Sequence, residues 1–311
     1  MCQKKDKKIL AELEEVTAIC PICSSKSHYW TTVEQSAYEM HRVTDKGYNK
    51  KTFHLYRCSR CGHGHHDPGV ENQQELLKYY TQDYAKDYLP DKDNERFLQR
   101  REQYKLDLAV ALPYLSEKEI FVLDFGCSVG EYLKAMLENW NKHGYEINKH
   151  EIEYLREQHK DITVYSDIEQ IPENQFDLIT FRGVIEHLYD FDDAFRLINK
   201  SIKPHAHIFV SATPDFNSPC AHVYVEQWNQ ICVPFHYHQF TAASLAILFA
   251  ENGFGLKGLH YPYYETPYAD FENDARYFIS NVQHLYKGER IESSLHAYPG
   301  TMMSAVFQKV L

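Results

Sequence analysis

Four cysteines fall in two pairs, Cys20-Pro-Ile-Cys23 and Cys58-Ser-Arg-Cys61. Each Cys-x-x-Cys can set two thiolates on one turn, and two such turns complete a tetrahedral Zn²⁺ site. Gly62 directly after the second pair eases its turn. Four sulfur ligands leave no open position, so this site reads as structural; a catalytic zinc keeps one. His63, His65 and His66 follow closely, and with four thiolates already present they are expected on the surface. A second set begins at Phe121-Val-Leu-Asp124-Phe125-Gly126-Cys127-Ser-Val-Gly130. It reads as an apolar strand end, an acid, a glycine-framed turn and then a helix. Such a turn brings backbone N–H groups to face a ligand, and glycine lets the main chain approach it. Glu146 and Ile147 end the next apolar stretch, and Asp167 and Ile168 the one after. Each carboxylate can accept protons from hydroxyl or amino groups. His187 and His236, with an unperturbed pKa near ~6.5, can take a proton from a weakly acidic hydroxyl. Plainer readings exist: a ligand-free glycine turn, an N-cap role for Asp167 ahead of Ile168-Glu-Gln, and a structural hydrogen bond for His187.

These residues need elements to hold them. Apolar stretches at 120–125, 142–147, 162–166, 176–182 and 206–212 read as strands, and 130–140, 149–159, 192–201 and 241–252 as helices. The alternation predicts an α/β fold, a doubly wound Rossmann-like parallel sheet with right-handed crossovers. Ligands of such sheets bind at the carboxyl ends of the strands, where the residues above fall. Strands at 256–263 and 302–310 can add an antiparallel edge hairpin, for seven in all. Thr241 is placed to cap the helix that follows it. Residues 71–115 read as a helical cap, with helices at 71–80 and 94–112, the second stopped by Pro113. Tyr80, Tyr84 and Tyr88 are either its core or a lid suited to a cation. Residues 1–19 read as a charged tail with a short helix from Leu10 to Val16, 20–70 as a zinc ribbon and 116–311 as the α/β body. Within that body, 213–240 is rich in histidine and aromatics and is expected to form an acceptor pocket.

Composition narrows the classes. The chain has 311 residues and a formal net charge of −11, most of it after residue 70. An acidic body fits a polyanion poorly, so no nucleic-acid partner is expected. No apolar run approaches the ~18 residues of a membrane span. The charged start, Met1-Cys-Gln-Lys-Lys, lacks an apolar core for a secretory signal, so a cytoplasmic location is expected. In that setting paired cysteines favour metal over disulfides.

The first glycine turn is D-x-G-x-x-x-G, with Ser128 where the dinucleotide fingerprint G-x-G-x-x-G has its middle glycine. It resembles motif I of the class I S-adenosylmethionine-dependent methyltransferases. Asn174 to Leu188, with F-D-L-I and then V-I-E-H-L, is similar to motif IV and its following turn in small-molecule members. With Glu146 and Asp167 the set matches in order and spacing over residues 117–263. The resemblance implies S-adenosyl-L-methionine as cofactor, bound by Asp124, Phe125, Gly126, Cys127, Gly130, Glu146, Ile147, Asp167, Ile168 and Arg182. Glu146 would take the ribose hydroxyls, and Asp167 with the Ile168 amide the adenine. Thr213-Pro-Asp215, Trp228, Pro234-Phe-His236 and Phe240-Thr241 resemble bacterial methyltransferases of sugars or glycan chains, which often carry an N-terminal zinc ribbon. Asp215 stands where asparagine is usual. His187 and His236 then become the candidate catalytic bases for a sugar or small-metabolite hydroxyl. Ubiquinone-pathway and small-RNA 3′-end methyltransferases carry E-x-x-E-H, which binds a divalent metal. Gly183 replaces the first of those glutamates here, so no catalytic metal is expected at this turn.

Two rival readings stand beside this one. An RNA methyltransferase would use the ribbon for nucleic acid; the acidic body and the lack of an N-P-P-Y motif count against it. A non-catalytic zinc-ribbon adaptor would not need Asp124, Glu146 and Asp167 intact.

Overall fold

The computed structural model describes residues 17–34, 52–67, 89–90, 95–115, 119–291 and 298–310. The expected helices at 10–16 and 71–80, and Tyr80, Tyr84 and Tyr88, lie outside these residues.

The N-terminal part is an antiparallel sheet of β1 (Thr17–Ile19), β2 (Lys26–Glu34), β3 (Thr52–Cys58) and β4 (Gly64–Asp67). Thr17–Ile19, expected in the tail, is a ribbon strand, because the first cysteine knuckle reverses the chain and pairs it with Lys26–His28. The second knuckle closes with the Gly62 amide donating to the Cys58 carbonyl at 3.1 Å, and Gly62 takes the left-handed φ of +73° that this turn requires. The knuckles bring the thiols together, with Sγ–Sγ distances of 3.7 Å for Cys20–Cys61 and 3.5 Å for both Cys23–Cys58 and Cys23–Cys61. A tetrahedral ion with ~2.3 Å bonds to sulfur would set such pairs about 3.8 Å apart. Amides of Ile22, Arg60 and Cys61 donate to sulfur, at 3.4, 3.4 and 3.5 Å. The donor set fits a small zinc ribbon.

The body begins with α1 (Glu95–Ala111) and continues β5 (Phe121–Phe125), α2 (Glu131–Ala135), β6 (Asn141–Tyr145), α3 (Lys149–Gln158), β7 (Thr163–Tyr165), β8 (Phe176–Arg182), α4 (Phe191–Ser201) and β9 (Ile202–Pro214). There follow α5 (Pro219–Tyr224), β10 (His238–Gln239), α6 (Ala242–Glu251), β11 (Phe254–His260), α7 (Phe271–Tyr286) and β12 (Met302–Lys309). Among the described residues, seven strands form one sheet in the order β11-β12-β9-β8-β5-β6-β7. β12 runs antiparallel to both neighbours; β5 to β9 are parallel.

Side chains alternate between two buried layers, as a strand's period of two dictates. Leu123, Ile179, Val210 and Phe307 face α4 and α6, while Val122, Leu178, Phe209 and Val306 face α1, α2 and α3. Two elements differ from the sequence reading. The helix expected over 130–140 ends at Ala135, because Met136 turns extended and Trp140 buries. The late hairpin strands are separated by α7, whose first turn is capped by the Asp270 side chain accepting from the Asn273 amide.

Ribbon and body share one seam. β10 pairs with β4, His238 opposite His65, so the ribbon sheet gains a fifth strand from the body. Thr241 caps α6 in a capping box and donates its hydroxyl to the Cys61 carbonyl at 2.7 Å. Arg57 donates to the Phe216 carbonyl at 3.2 Å and to Asn217 at 2.9 Å. The expected surface histidines lie in this seam. His63 is fully buried, with its Nε2 3.1 Å from His238 Nδ1, and His66 is buried too. Sequence spacing from the cysteines could not reveal the body strand that covers them. A Cβ on Gly64 would meet the Phe216 ring at 2.6 Å and the Gln239 Cβ at 2.8 Å. Gly64→Ala is therefore expected to destabilise the full chain by about 1–3 kcal/mol, read as a lower urea midpoint with unchanged slope.

Candidate active site

Val122 to Phe125 is buried because β5 is an interior strand, with β6 on one side and β8 on the other. Parallel register sets Asp124 opposite Thr180, whose hydroxyl donates to Asp124 Oδ1 at 2.6 Å. Burial pushes the Asp124 carboxyl up to about 7, against the opposing effects of Thr180 and Arg182. Gly126 and Gly130 turn the chain with φ of +75° and +82°. Three amides of this turn are not free to face a ligand. Those of Gly126 and Cys127 donate to the Tyr145 carbonyl at 2.8 and 3.1 Å, and that of Ser128 to Glu146 at 2.9 Å. The turn lies against the end of β6, so that strand, and not a ligand, satisfies them. Cys127 points inward into space left by Gly144, where a Cβ would collide with its sulfur. Phe125 packs on Tyr145 and Phe181 at centroid distances of 4.8 and 5.0 Å.

Glu146 is buried and also accepts from the amides of Ile147 and Asn148 at 2.7 and 2.8 Å. Ser128 donates its hydroxyl to Glu151 at 2.7 Å. Burial, with Glu146 beside it, lifts the Glu151 carboxyl to about 8. Asp167 is exposed and caps the turn Ile168–Gln170, accepting from the Glu169 amide at 3.0 Å. Ile147 is 39% exposed and Ile168 half-buried, so each acid is followed in the chain by an isoleucine with accessible apolar surface. These groups suit an adenosine: one buried and one open carboxylate flanked by isoleucines. Arg182 ends β8 and is held by Asp107 of α1 at 2.7 Å, with its guanidinium 4.6 Å from the Tyr104 ring centroid. Burial opposes its charge; Asp107 and Tyr104 more than offset that.

Beyond β8 the turn Ile185–His187 carries Glu186 and His187. His236 comes from the segment before β10, and the two imidazoles meet edge to face with centroids 4.7 Å apart at 84°. His187 Nδ1–H donates to the Phe235 carbonyl at 3.0 Å, and His236 Nδ1–H to the Gln230 carbonyl at 2.7 Å. A carbonyl can only accept, so in both rings Nε2 is left as the lone-pair nitrogen. Burial depresses both, His187 to about 4 and His236 to about 3. Both are neutral at pH 7 and weaker bases than free imidazole.

A cavity of about 240 Å³ is walled in part by Arg182 and by Gln230, the residue that holds His236. Gln103 and Asp107 of α1, Arg182, Gln230, Tyr263 and Tyr268 are among its lining. Within 213–240, only Gln230 lines it; the segment after β11 supplies most of the aromatic wall. That segment, with Tyr263 and Tyr268, was not picked out from sequence. Its aromatic richness was the available signal, but nothing local shows that an edge-strand connection folds back over Arg182.

The profile of a methyltransferase-domain family matches residues 96–257, just over half of the chain. No curated protein matches in sequence. Among solved structures, the chain is similar to a magnesium protoporphyrin IX methyltransferase from Synechocystis with bound SAH, at 12% identity and a TM-score of 0.50, covering 76% of this chain and 100% of that one. A SAM-dependent methyltransferase from Archaeoglobus fulgidus aligns at 19% identity and a TM-score of 0.45, over 70% of this chain and 100% of that one. A possible histamine N-methyltransferase from Thermotoga maritima gives 16% and 0.49, over 74% and 98%. Family match, strand order and site together lead to one conclusion: the chain belongs to the methyltransferase-domain family and is an S-adenosylmethionine-dependent methyltransferase.

Proposed function

We propose that this methyltransferase acts on a hydroxyl group of a sugar or other small metabolite, with a zinc ion held structurally by Cys20, Cys23, Cys58 and Cys61. The observation that carries the reading is the neutral His187–His236 pair, whose His236 is held by Gln230, a residue lining a tyrosine-walled cavity with Gln103, Asp107 and Arg182 in its wall. Flat aromatic faces suit the C–H faces of a sugar ring, and fixed polar groups suit its hydroxyls. At about 240 Å³ the cavity has room for one small acceptor group. The resemblance of Thr213-Pro-Asp215 through Thr241 to sugar and glycan methyltransferases supports the same class.

S-adenosylmethionine, when bound, supplies an electrophilic methyl group on a sulfonium. The chain has to hold the cofactor, exclude water and align the acceptor oxygen. Glu146, Asp167, Ile147 and Ile168 are proposed for the adenosine end, and Asp124 and Arg182 for the end nearer the cavity. Phe125, Gly126, Cys127 and Gly130 shape the floor through backbone and packing. His187 and His236 are proposed to meet the acceptor hydroxyl.

Several measurements check this. Because burial raises Asp124 to about 7, its charge appears as pH rises through that value. A cationic cofactor favours the ionised form, so its affinity should climb from pH 6 to about 7.5 and then level. Asp124→Asn should flatten that climb; calorimetry across pH reads both. His187→Ala and His236→Ala should leave cofactor affinity nearly intact and lower turnover by about 10²-fold or more. A mass-spectrometric search for methylated products across sugar nucleotides supplies the assay. For the ribbon, Cys58→Ser should lose the bound zinc and lower the melting temperature, whereas metal-free protein with an unchanged melting curve would remove the zinc assignment.

A further inference from the structure

Glu186, His187 and His236 place one donor atom each within 4.8 Å of one another. We propose that these three residues bind a divalent first-row transition cation, and that this cation takes up the acceptor hydroxyl; the second half of the statement rests on the function proposed above.

Geometry argues for the site first. A cation with bonds of ~2.1 Å sets neighbouring donors about 3.0–3.4 Å apart, so a pair at the 4.8 Å limit closes by roughly 1.5 Å when the ion binds. Both imidazoles are already locked for ligation. Their Nδ1–H groups are spent on the carbonyls of Phe235 and Gln230, which fixes each ring's orientation and leaves Nε2 as the donor. Metal-bound histidines commonly hold their second nitrogen this way. The Glu186 carboxylate is buried, 3% exposed, and accepts from Thr213 at 3.4 Å, a long hydrogen bond. Arg182 lies near enough to favour its charge, but Asp107 already holds that guanidinium. A buried carboxylate whose cationic neighbour is shared with Asp107, beside two fixed lone pairs, is a ligand set for a further cation.

The donor chemistry selects the ion. Two imidazole nitrogens and one carboxylate suit zinc, iron, manganese or cobalt over magnesium or calcium, whose shells are mostly oxygen. Three protein donors leave positions open, unlike the four-thiolate cluster of the ribbon. The Gln230 that holds His236 also lines the cavity. A hydroxyl taken from that cavity onto the cation would lose its proton to solvent water more readily, and its oxygen keeps the electron pair for attack.

The sequence pointed the other way. Gly183 breaks the E-x-x-E-H pattern, and no metal was expected. The third donor comes instead from His236, carried to the turn by the segment that leads into β10.

The test uses the full chain with its ribbon metal retained, after dialysis against a weak chelator. Manganese(II) is titrated and followed by electron paramagnetic resonance. Wild type should take up one manganese per chain. Glu186→Gln and His236→Gln should weaken that uptake at least tenfold while the sulfur-bound metal content stays unchanged, which shows that the variants remain folded. No uptake by wild type, or equal uptake by the variants, would overturn the site. Calorimetry with S-adenosylmethionine on the same samples separates the two readings. Cofactor binding without manganese uptake removes the metal site alone. Manganese uptake without cofactor binding supports the site and removes the methyl-transfer role assigned to it.

Discussion

The seam between β4 and β10 is the constraint from which the site follows. Two residues, His238 and Gln239, pair with the ribbon, and Thr241 ties the second cysteine knuckle to the start of α6. Gly64 permits the close approach and Phe216 fills it. His236 stands two residues before this pairing, and its ring meets His187 edge to face. The ribbon thus acts as a clamp on the segment that carries a site residue. A thiolate cluster can matter to chemistry in this way: it fixes a strand, and the strand fixes an imidazole.

The second theme is charge. Asp124, Glu146, Glu151 and Glu186 are all buried near the carboxyl edge of the sheet, and burial raises the proton affinity of each. The buried cation among them, Arg182, is already engaged by Asp107. A region so arranged is costly when empty and favours positive ligands. A sulfonium cofactor meets that requirement at one end and a divalent ion at the other. The negative net charge of the chain, which disfavoured nucleic acid, has a local counterpart here.

Hydrogen bonding around the glycine turn shows how far motif reasoning reaches. Gly126 and Gly130 were expected to free backbone amides for a ligand. They do bend the chain as expected, with positive φ, but the amides of Gly126, Cys127 and Ser128 bond to the end of β6. The motif describes the path of the chain, and the neighbouring strand decides where its donors point. Asp167 likewise serves as a cap in addition to standing open at the strand end, the plainer role its neighbours Ile168-Glu-Gln had suggested.

The residues alone determined the alternation of strands and helices, the strand ends where the acids fall, the cap at Thr241 and the two knuckles. All of these are local: they depend on periodicity, on spacing of three or four residues, or on a single turn. Tertiary structure decided what distant segments share. It set His63 and His66 in a buried seam, folded the segment after β11 over Arg182, slipped α7 between hairpin strands and brought His236 to Glu186 and His187. No periodicity encodes those meetings. They follow from which faces pack and which edge pairs, and those choices are settled only when the whole chain buries its surface at once.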